Sequence, residues 1–242
     1  MDRSATFSRS VRLFRAFRQE QTDPGSFYGA LAADSVAQLS RWSDLKGQTV
    51  LDVGGGPGYF ADAFREAGAT YVGLEPDAGE LAARGVTEPG TVRASGEQLP
   101  IRSAAVDICY SSNVLEHVPR PWTMTAEMVR VTKPGGTVYL SFTPWWSPWG
   151  GHETAPWHFL GGHRAARRYR RRTGQEPKNR FGESLFAVRA GSAVRWARDC
   201  PDVDLVAVYA RYHPWWAAWV ARVPGLREVV SWNIVLVMRR RS

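Results

Sequence analysis

One acid and three alternating glycines set the first chemistry that this chain can do. Val50-Leu51-Asp52-Val53-Gly54-Gly55-Gly56-Pro57-Gly58 runs from an apolar strand into a turn that opens a helix. Glycine at alternate positions lets backbone approach a nucleotide-like ligand where a Cβ would collide with it. The nicotinamide fingerprint G-x-G-x-x-G would put its third glycine at position 59, which is Tyr59. The pattern is instead acid-x-G-x-G-x-G, with Asp52 leading. A carboxylate at that place repels a pyrophosphate but suits an ammonium or a sulfonium. A second apolar strand, Thr70-Tyr71-Val72-Gly73-Leu74, ends in Glu75. That lies about 20 residues past the glycines, where an acid accepts from two ribose hydroxyls. Ribose recognition without a pyrophosphate cradle points to S-adenosylmethionine.

Two further groups carry titratable side chains. Asn113, Glu116 and His117 stand at spacing i, i+3, i+4. His152, Glu153, His158 and His163 crowd a short stretch further on, within an aromatic segment that includes Trp145, Trp146, Trp149 and Trp157. Their spacing fits no standard zinc motif.

The elements that position these groups follow from periodicity. Helices are expected over Phe7 to Glu20 and Ser26 to Ser43, the first with apolar Val11, Phe14 and Phe17 and an arginine stripe at Arg9, Arg12, Arg15 and Arg18. Then come strand 49–53, helix 58–67, strand 70–75, helix 77–84, strands 91–94 and 106–111, helix 121–132 and strand 137–143. Helix 183–199, strand 203–210 and a last strand 229–238 close the pattern, with a smaller insertion from Tyr212 to about Leu226. This alternation implies an α/β fold with a doubly wound, mostly parallel seven-stranded sheet and ligands at the carboxyl ends of the strands. Residues 144–183 are too long for an ordinary connection and are expected to form a cap. The chain is read as one domain over 1–242: lid helices 1–46, nucleotide half 47–143, cap 144–183 and the remaining sheet 184–242.

Between Val50 and Phe142 the chain resembles the class I S-adenosylmethionine-dependent methyltransferases. Beyond the glycine loop, Ala94-Ser95-Gly96-Glu97-Gln98-Leu99-Pro100-Ile101 resembles their third-strand loop. Val106-Asp107-Ile108-Cys109-Tyr110-Ser111-Ser112 and the Leu115-Glu116-His117 that follow resemble the fourth strand and its loop, and Lys133-Pro134-Gly135-Gly136 resembles the turn into the fifth. The Trp- and His-rich segment is similar to that of actinobacterial methyltransferases whose substrates are mostly unassigned. The resemblance implies a Rossmann-like fold, methyl transfer, and a cofactor site made by Asp52, Gly54, Gly56, Gly58, Glu75, Gly96, Glu97 and Ser112. Asp52 would orient the amino end, Glu75 the ribose, and Gly96 with Glu97 the adenine. Ser95 stands where the family carries an Asp for the adenine amino group. In the ubiquinone-pathway O-methyltransferases the fourth loop resembles E-x-x-E-H and binds a divalent metal; here Asn113 replaces the first Glu, and no metal ligand is assigned.

Methyl transfer to a hydroxyl requires alignment, exclusion of water and a base or metal. His152 is the first candidate for a base and His117 the second. Hydrogen bonding within the loop is the alternative role for His117, metal binding or a structural role is the alternative for the cap histidines, and packing is the alternative for the tryptophans. The expected acceptor is small or lipid-linked: a glycolipid, saccharide or polyketide.

Composition bounds the partners. The chain has 242 residues, 11 tryptophans and a net charge of +8. Such a balance suits anionic partners, with peripheral contact to an anionic membrane favoured over nucleic acid, and plain solvation of the arginine-rich faces is the alternative. The Asn/Asp-Pro-Pro-Tyr/Phe motif of base N-methyltransferases is absent, and RNA methylation remains the runner-up. A protein that binds the cofactor without catalysis is the reading from another class. Two cysteines exclude a disulfide framework. The first residues, Met1-Asp2-Arg3-Ser4, lack an apolar signal core, so the expected location is cytoplasmic.

Overall fold

The computed structural model describes residues 5–18, 22–85 and 88–242. Two helices, α1 (Phe7–Phe17) and α2 (Pro24–Leu39), precede β1 (Thr49–Val53). There follow α3 (Ala61–Glu66), β2 (Thr70–Glu75), α4 (Ala78–Ala82), β3 (Thr91–Arg93), β4 (Val106–Ser112), α5 (Pro121–Val131) and β5 (Thr132–Phe142). The cap carries α6 (Gly162–Thr173), and α7 (Ala190–Asp199), β6 (Val203–Ala210), α8 (Leu226–Val229) and β7 (Ile234–Arg240) complete the chain.

The sheet runs β3-β2-β1-β4-β5-β7-β6. Every neighbouring pair is parallel except those made by β7, which is antiparallel to both β5 and β6. This is the doubly wound sheet expected from the sequence. Successive residues of a strand face opposite ways, and both faces here are apolar. Leu51, Val53, Cys109, Val138 and Leu140 pack against Met124 and Met128 of α5 and Val194 of α7. Val50, Ile108, Tyr110 and Tyr139 pack on the other side against Leu31 of α2 and Phe64 of α3. Burial on both faces forces the ligand site to the strand ends. The carboxyl ends of β1, β2, β4 and β5 lie together there, as their parallel registers require.

Several boundaries differ from the sequence expectation. The strand expected at 229 begins at Ile234. Val229 and Val230 are β-branched but exposed, on a one-turn helix that Glu228 ties to α7 by accepting from Ala190 N (2.9 Å) and Gly191 N (2.6 Å). The helix expected from 183 begins at Ala190. The residues before it run as a connector: Phe186 N donates to Glu116 O and Val188 O accepts from Trp145 N, both at 2.8 Å. β5 starts five residues early, at Thr132, with a register shift against β4 between Val106 and Ile108. The helices of the nucleotide half are shorter than expected, α3 and α4 most of all.

The arginine stripe of the first helix is not uniform. Arg9 is buried and forks onto Asp34 of α2, at 2.5 Å from Nε to Oδ1 and 2.7 Å from Nη2 to Oδ2. It therefore fastens the two lid helices, while Arg12, Arg15 and Arg18 remain exposed. The expected end of that helix at Glu20 and residues 1–4 lie outside the described residues. The C-terminal arginines are also structural: Arg239 donates to Gly135 O, Thr137 Oγ1 and Trp42 O, and Arg240 to the carbonyls of Arg130 and Thr132. No helix among the described residues is long and apolar enough to cross a membrane.

Candidate active site

The glycine loop sits between the ends of β1 and β2. Gly54 and Gly55 donate to Leu74 O at 2.7 and 3.1 Å, which draws the loop over the end of β2. Gly54 and Gly56 have φ of +80° and +52°, a region that side chains rarely adopt. A Cβ on Gly56 would meet no heavy atom within 4 Å, so the loop borders open space there. Glu75 closes this space from the end of β2. Its Oε2 accepts from Gly56 N at 3.2 Å and its Oε1 from Asp77 N at 3.0 Å. A carboxylate offers about four acceptor sites, so two remain for a ribose diol. Burial raises the Glu75 carboxyl above its ordinary range, and the two backbone donors oppose this. These residues fit the nucleoside of S-adenosylmethionine. Above them Tyr28 of α2 stacks on Tyr59, with centroids 4.8 Å apart and planes 11° from parallel. The lid thus reaches the glycine loop.

Asp52 lies beneath the loop, 2% exposed, with Oδ2 accepting from the Tyr71 hydroxyl at 2.9 Å. Burial pushes its carboxyl up to about 7; the Tyr71 bond lowers it and nearby Glu75 raises it further. Nothing in the sequence pattern pointed to Tyr71, which pairs with Val50 on the neighbouring strand, two residues before Gly73, the partner of Asp52.

Gly96 and Glu97, expected at the adenine end, lie in the loop after β3. Ser95 Oγ accepts from Glu97 N at 3.2 Å, so the hydroxyl that replaces the family's Asp orders the loop. The Glu97 carboxylate is engaged by Arg120, through its backbone N (2.8 Å) and its guanidinium (2.8 and 3.2 Å). That pairing holds the carboxyl below its ordinary range and ties this loop to the start of α5. Ser112, at the end of β4, accepts from Arg211 Nη1 at 2.5 Å. Arg211 is 1% exposed and also bonds Ser141 and Ser35, so Ser112 joins a buried polar link between β4, β5 and α2. An arginine directly after an apolar strand reads as exposed, and no local pattern marks this burial.

The loop after β4 and the cap meet at two histidines. His117 and His152 lie with ring centroids 5.0 Å apart, one ring edge-on to the other. His117 Nδ1 is 2.7 Å from Ser184 O; a carbonyl only accepts, so Nδ1 carries a proton, and in the neutral ring Nε2 holds the lone pair. Glu116 is 1% exposed, with Oε1 accepting from Thr143 N at 2.9 Å. Burial raises its carboxyl, and His117 partly opposes that. Burial also pushes His152 down to about 3, with neighbouring His117 and His158 adding to the effect. His152 is therefore neutral across the physiological range and a weak base.

The other residues of the cap's polar group separate. Glu153 accepts from Asn179 at 2.8 Å. His158 is buried, its Nε2 3.1 Å from Ser147 O and its ring against Trp145. His163 packs edge-on to Phe181. The tryptophans anchor the cap: Trp145 packs on Phe181, Trp146 stacks on Phe159, and Trp149 joins Phe17 of α1 to Trp232. Trp157 carries the Arg168 guanidinium 3.8 Å above its ring. A concavity of about 870 Å³ runs along edge strand β6 rather than at the strand ends. The chemistry is assigned to the strand ends because the glycine loop, Glu75 and the two histidines converge there.

Comparison with known proteins agrees with this geometry. A methyltransferase-domain family matches residues 51–140. A protein of Mycolicibacterium gilvum named as an uncharacterized methyltransferase is 56% identical over 97% of this chain and 95% of its own length. Another so named, from Mycobacterium marinum, is 54% identical over 99% of this chain and 97% of its own. A solved S-adenosylmethionine-dependent methyltransferase from Mesorhizobium loti shares the fold at a TM-score of 0.58 and 18% identity, over 86% of this chain and 98% of that one. A glycine loop backed by Asp52 and faced by Glu75, on a sheet of this order and with relatives of this closeness, shows that the chain belongs to the class I S-adenosylmethionine-dependent methyltransferases.

Proposed function

We propose that the chain is an O-methyltransferase whose acceptor is small or lipid-linked, such as a glycolipid, saccharide or polyketide. When bound, S-adenosylmethionine supplies an electrophilic methyl group on a sulfonium. The chain's own residues hold and enclose the reactants. Glu75 and the glycine loop bind the nucleoside, Asp52 supports the loop from below, and Tyr28 on Tyr59 shields it from water. The observation that carries the reading is the meeting of His117 and His152 under an aromatic cap at the ends of β4 and β5. Polar acceptors inside an aromatic enclosure suit a hydroxyl-bearing substrate with a substantial apolar part. Trp216 and Trp219 add to this: they are exposed beside Arg222, an interfacial mix suited to an anionic lipid surface. The same reading keeps the chain in the cytoplasm, at most peripheral to the membrane.

The test is transfer of labelled methyl from S-adenosylmethionine into lipid, saccharide and RNA fractions of a lysate. Label in lipid or saccharide, as a base-stable ether, is the expected result. Label confined to RNA, with strongly salt-dependent binding, would replace this acceptor by the runner-up. No label in any fraction would favour cofactor binding without catalysis.

A further inference from the structure

We propose that Glu116, His117 and His152 bind a divalent transition-metal ion, of the zinc, cobalt or iron(II) class, between the loop after β4 and the cap. One donor atom from each residue lies within 4.8 Å of the other two. Neighbouring ligands of a tetrahedral zinc stand about 3.3 Å apart, so the loop and the cap would draw together by up to about 1.5 Å to close on an ion. Among the atoms of these three residues, Glu116 Oε2 and His152 Nε2 are buried without a hydrogen-bond partner. Buried polar atoms are rarely left so, because each loses its water without return.

The remaining atoms of the group are arranged as supports. Ser184 O fixes the His117 tautomer that leaves Nε2 free to ligate, and Thr143 N holds the other oxygen of Glu116. Metal ligands are oriented by such outer bonds. His152 is held at φ +48°, a left-handed conformation uncommon for residues other than glycine. Asn113 is excluded from the donor set, since its Oδ1 accepts from Asn233 Nδ2 at 2.6 Å. The third ligand therefore comes from the cap and not from the loop.

Two imidazoles and one carboxylate select a transition ion over magnesium or calcium, which prefer oxygen throughout. Three protein ligands leave a position for an acceptor oxygen, whose pKa the ion would lower. The ion site stands on these side chains alone; only its use on an acceptor hydroxyl rests on the O-methylation reading.

The test is calorimetric. Chelator-stripped full chain, free of any tag, is titrated with Zn²⁺ alone, with Co²⁺ alone and, in parallel, with S-adenosylhomocysteine. One ion per chain is expected, and Co²⁺ should gain the visible absorption of a low-coordinate nitrogen–oxygen site. His152→Asn, which tolerates the left-handed backbone, and Glu116→Gln should each weaken ion binding at least tenfold while S-adenosylhomocysteine affinity stays within threefold. If Glu116→Gln fails to fold, His152→Asn decides. Failure of the full chain to bind one ion, or equal binding by the His152→Asn variant, overturns the proposal. Ion binding without label transfer to lipid or saccharide upholds the site and removes its role in O-methylation.

Discussion

The glycine loop and the cap are both irregular segments at the carboxyl ends of strands, but they are held by different forces. Residues 54–58 take their shape from backbone: positive φ, bonds from Gly54 and Gly55 to Leu74 O, and Glu75 on Gly56 N. The cap takes its shape from side chains far apart in sequence. Trp145 rests on Phe181, Trp149 on Phe17, and His152 reaches His117 across 35 positions. The first kind of site is written locally and tolerates almost no change. The second is assembled by packing and can vary while the fold stays the same, which suits a cofactor half joined to a specialised acceptor half.

The largest effect should come from the backbone-held loop. A Cβ on Gly54 would fall 2.4 Å from Val114 Cγ2, at a φ that side chains avoid. Gly54→Val should therefore reduce S-adenosylhomocysteine affinity more than 100-fold, since strain and overpacking each cost about 1–3 kcal/mol. Near-normal affinity by calorimetry would mean that the loop is not backbone-determined.

The cap should answer differently. Trp145 is buried, and its truncation to Ala is expected to cost about 3–5 kcal/mol in stability. Cofactor affinity should stay within threefold at temperatures where the variant is folded, while turnover falls at least tenfold. Equal losses of both would show the two regions to be one cooperative unit.

This contrast explains how much could be read from the sequence. The succession of strands and helices, the place of the glycine loop after β1 and that of Glu75 at the end of β2 were legible because periodicity and local spacing encode them. The cap's location was legible from its length, but its contacts were not. Nothing in the spacing of His117, His152 and Ser184 says that they meet. Val229 and Val230 have strand-forming side chains, yet Glu228 caps α7 and holds their segment as a helical turn. Arg9 fell in an apparent surface stripe, yet its register faces Asp34. In each case a long-range partner overrode local propensity.

Asp52 sharpens the comparison from the cofactor side. Its carboxyl is raised from an ordinary 3.8 to about 7, so the folded chain prefers it protonated. Its favourable contribution is whole below about pH 4 and is lost as pH rises through about 7. The difference between those values amounts to on the order of 4 kcal/mol. Asp52→Asn keeps a partner for Tyr71 and removes the titration, but it buries an amide that has its own desolvation cost. The variant should be more stable than the parent at pH 8 by roughly 2 kcal/mol, less stable at pH 4 by roughly 2 kcal/mol, and weaker in cofactor binding. Thermal unfolding across that range gives the answer. A parallel shift at both pH values would mean that Asp52 is not the titrating group.

The smallest effect belongs to the tryptophans that anchor nothing in the core. Trp216 and Trp219 are 57% and 51% exposed, unlike Trp145 at 5%. Replacing both with Ser should change stability by less than about 0.5 kcal/mol, because exposed side chains away from caps and ion pairs contribute little to folding. Binding to anionic vesicles at low salt should nevertheless fall several-fold, since an aromatic ring at a lipid interface gains what it lacks in water. If vesicle binding is unchanged and the chain still transfers label to lipid, the acceptor must reach the cap without help from this surface. If binding falls but transfer to a soluble saccharide persists, the tryptophans bring the enzyme to its acceptor and take no part in the transfer. Cap residues and surface residues of the same type would then have separable roles, set by whether their rings face the protein or the solvent.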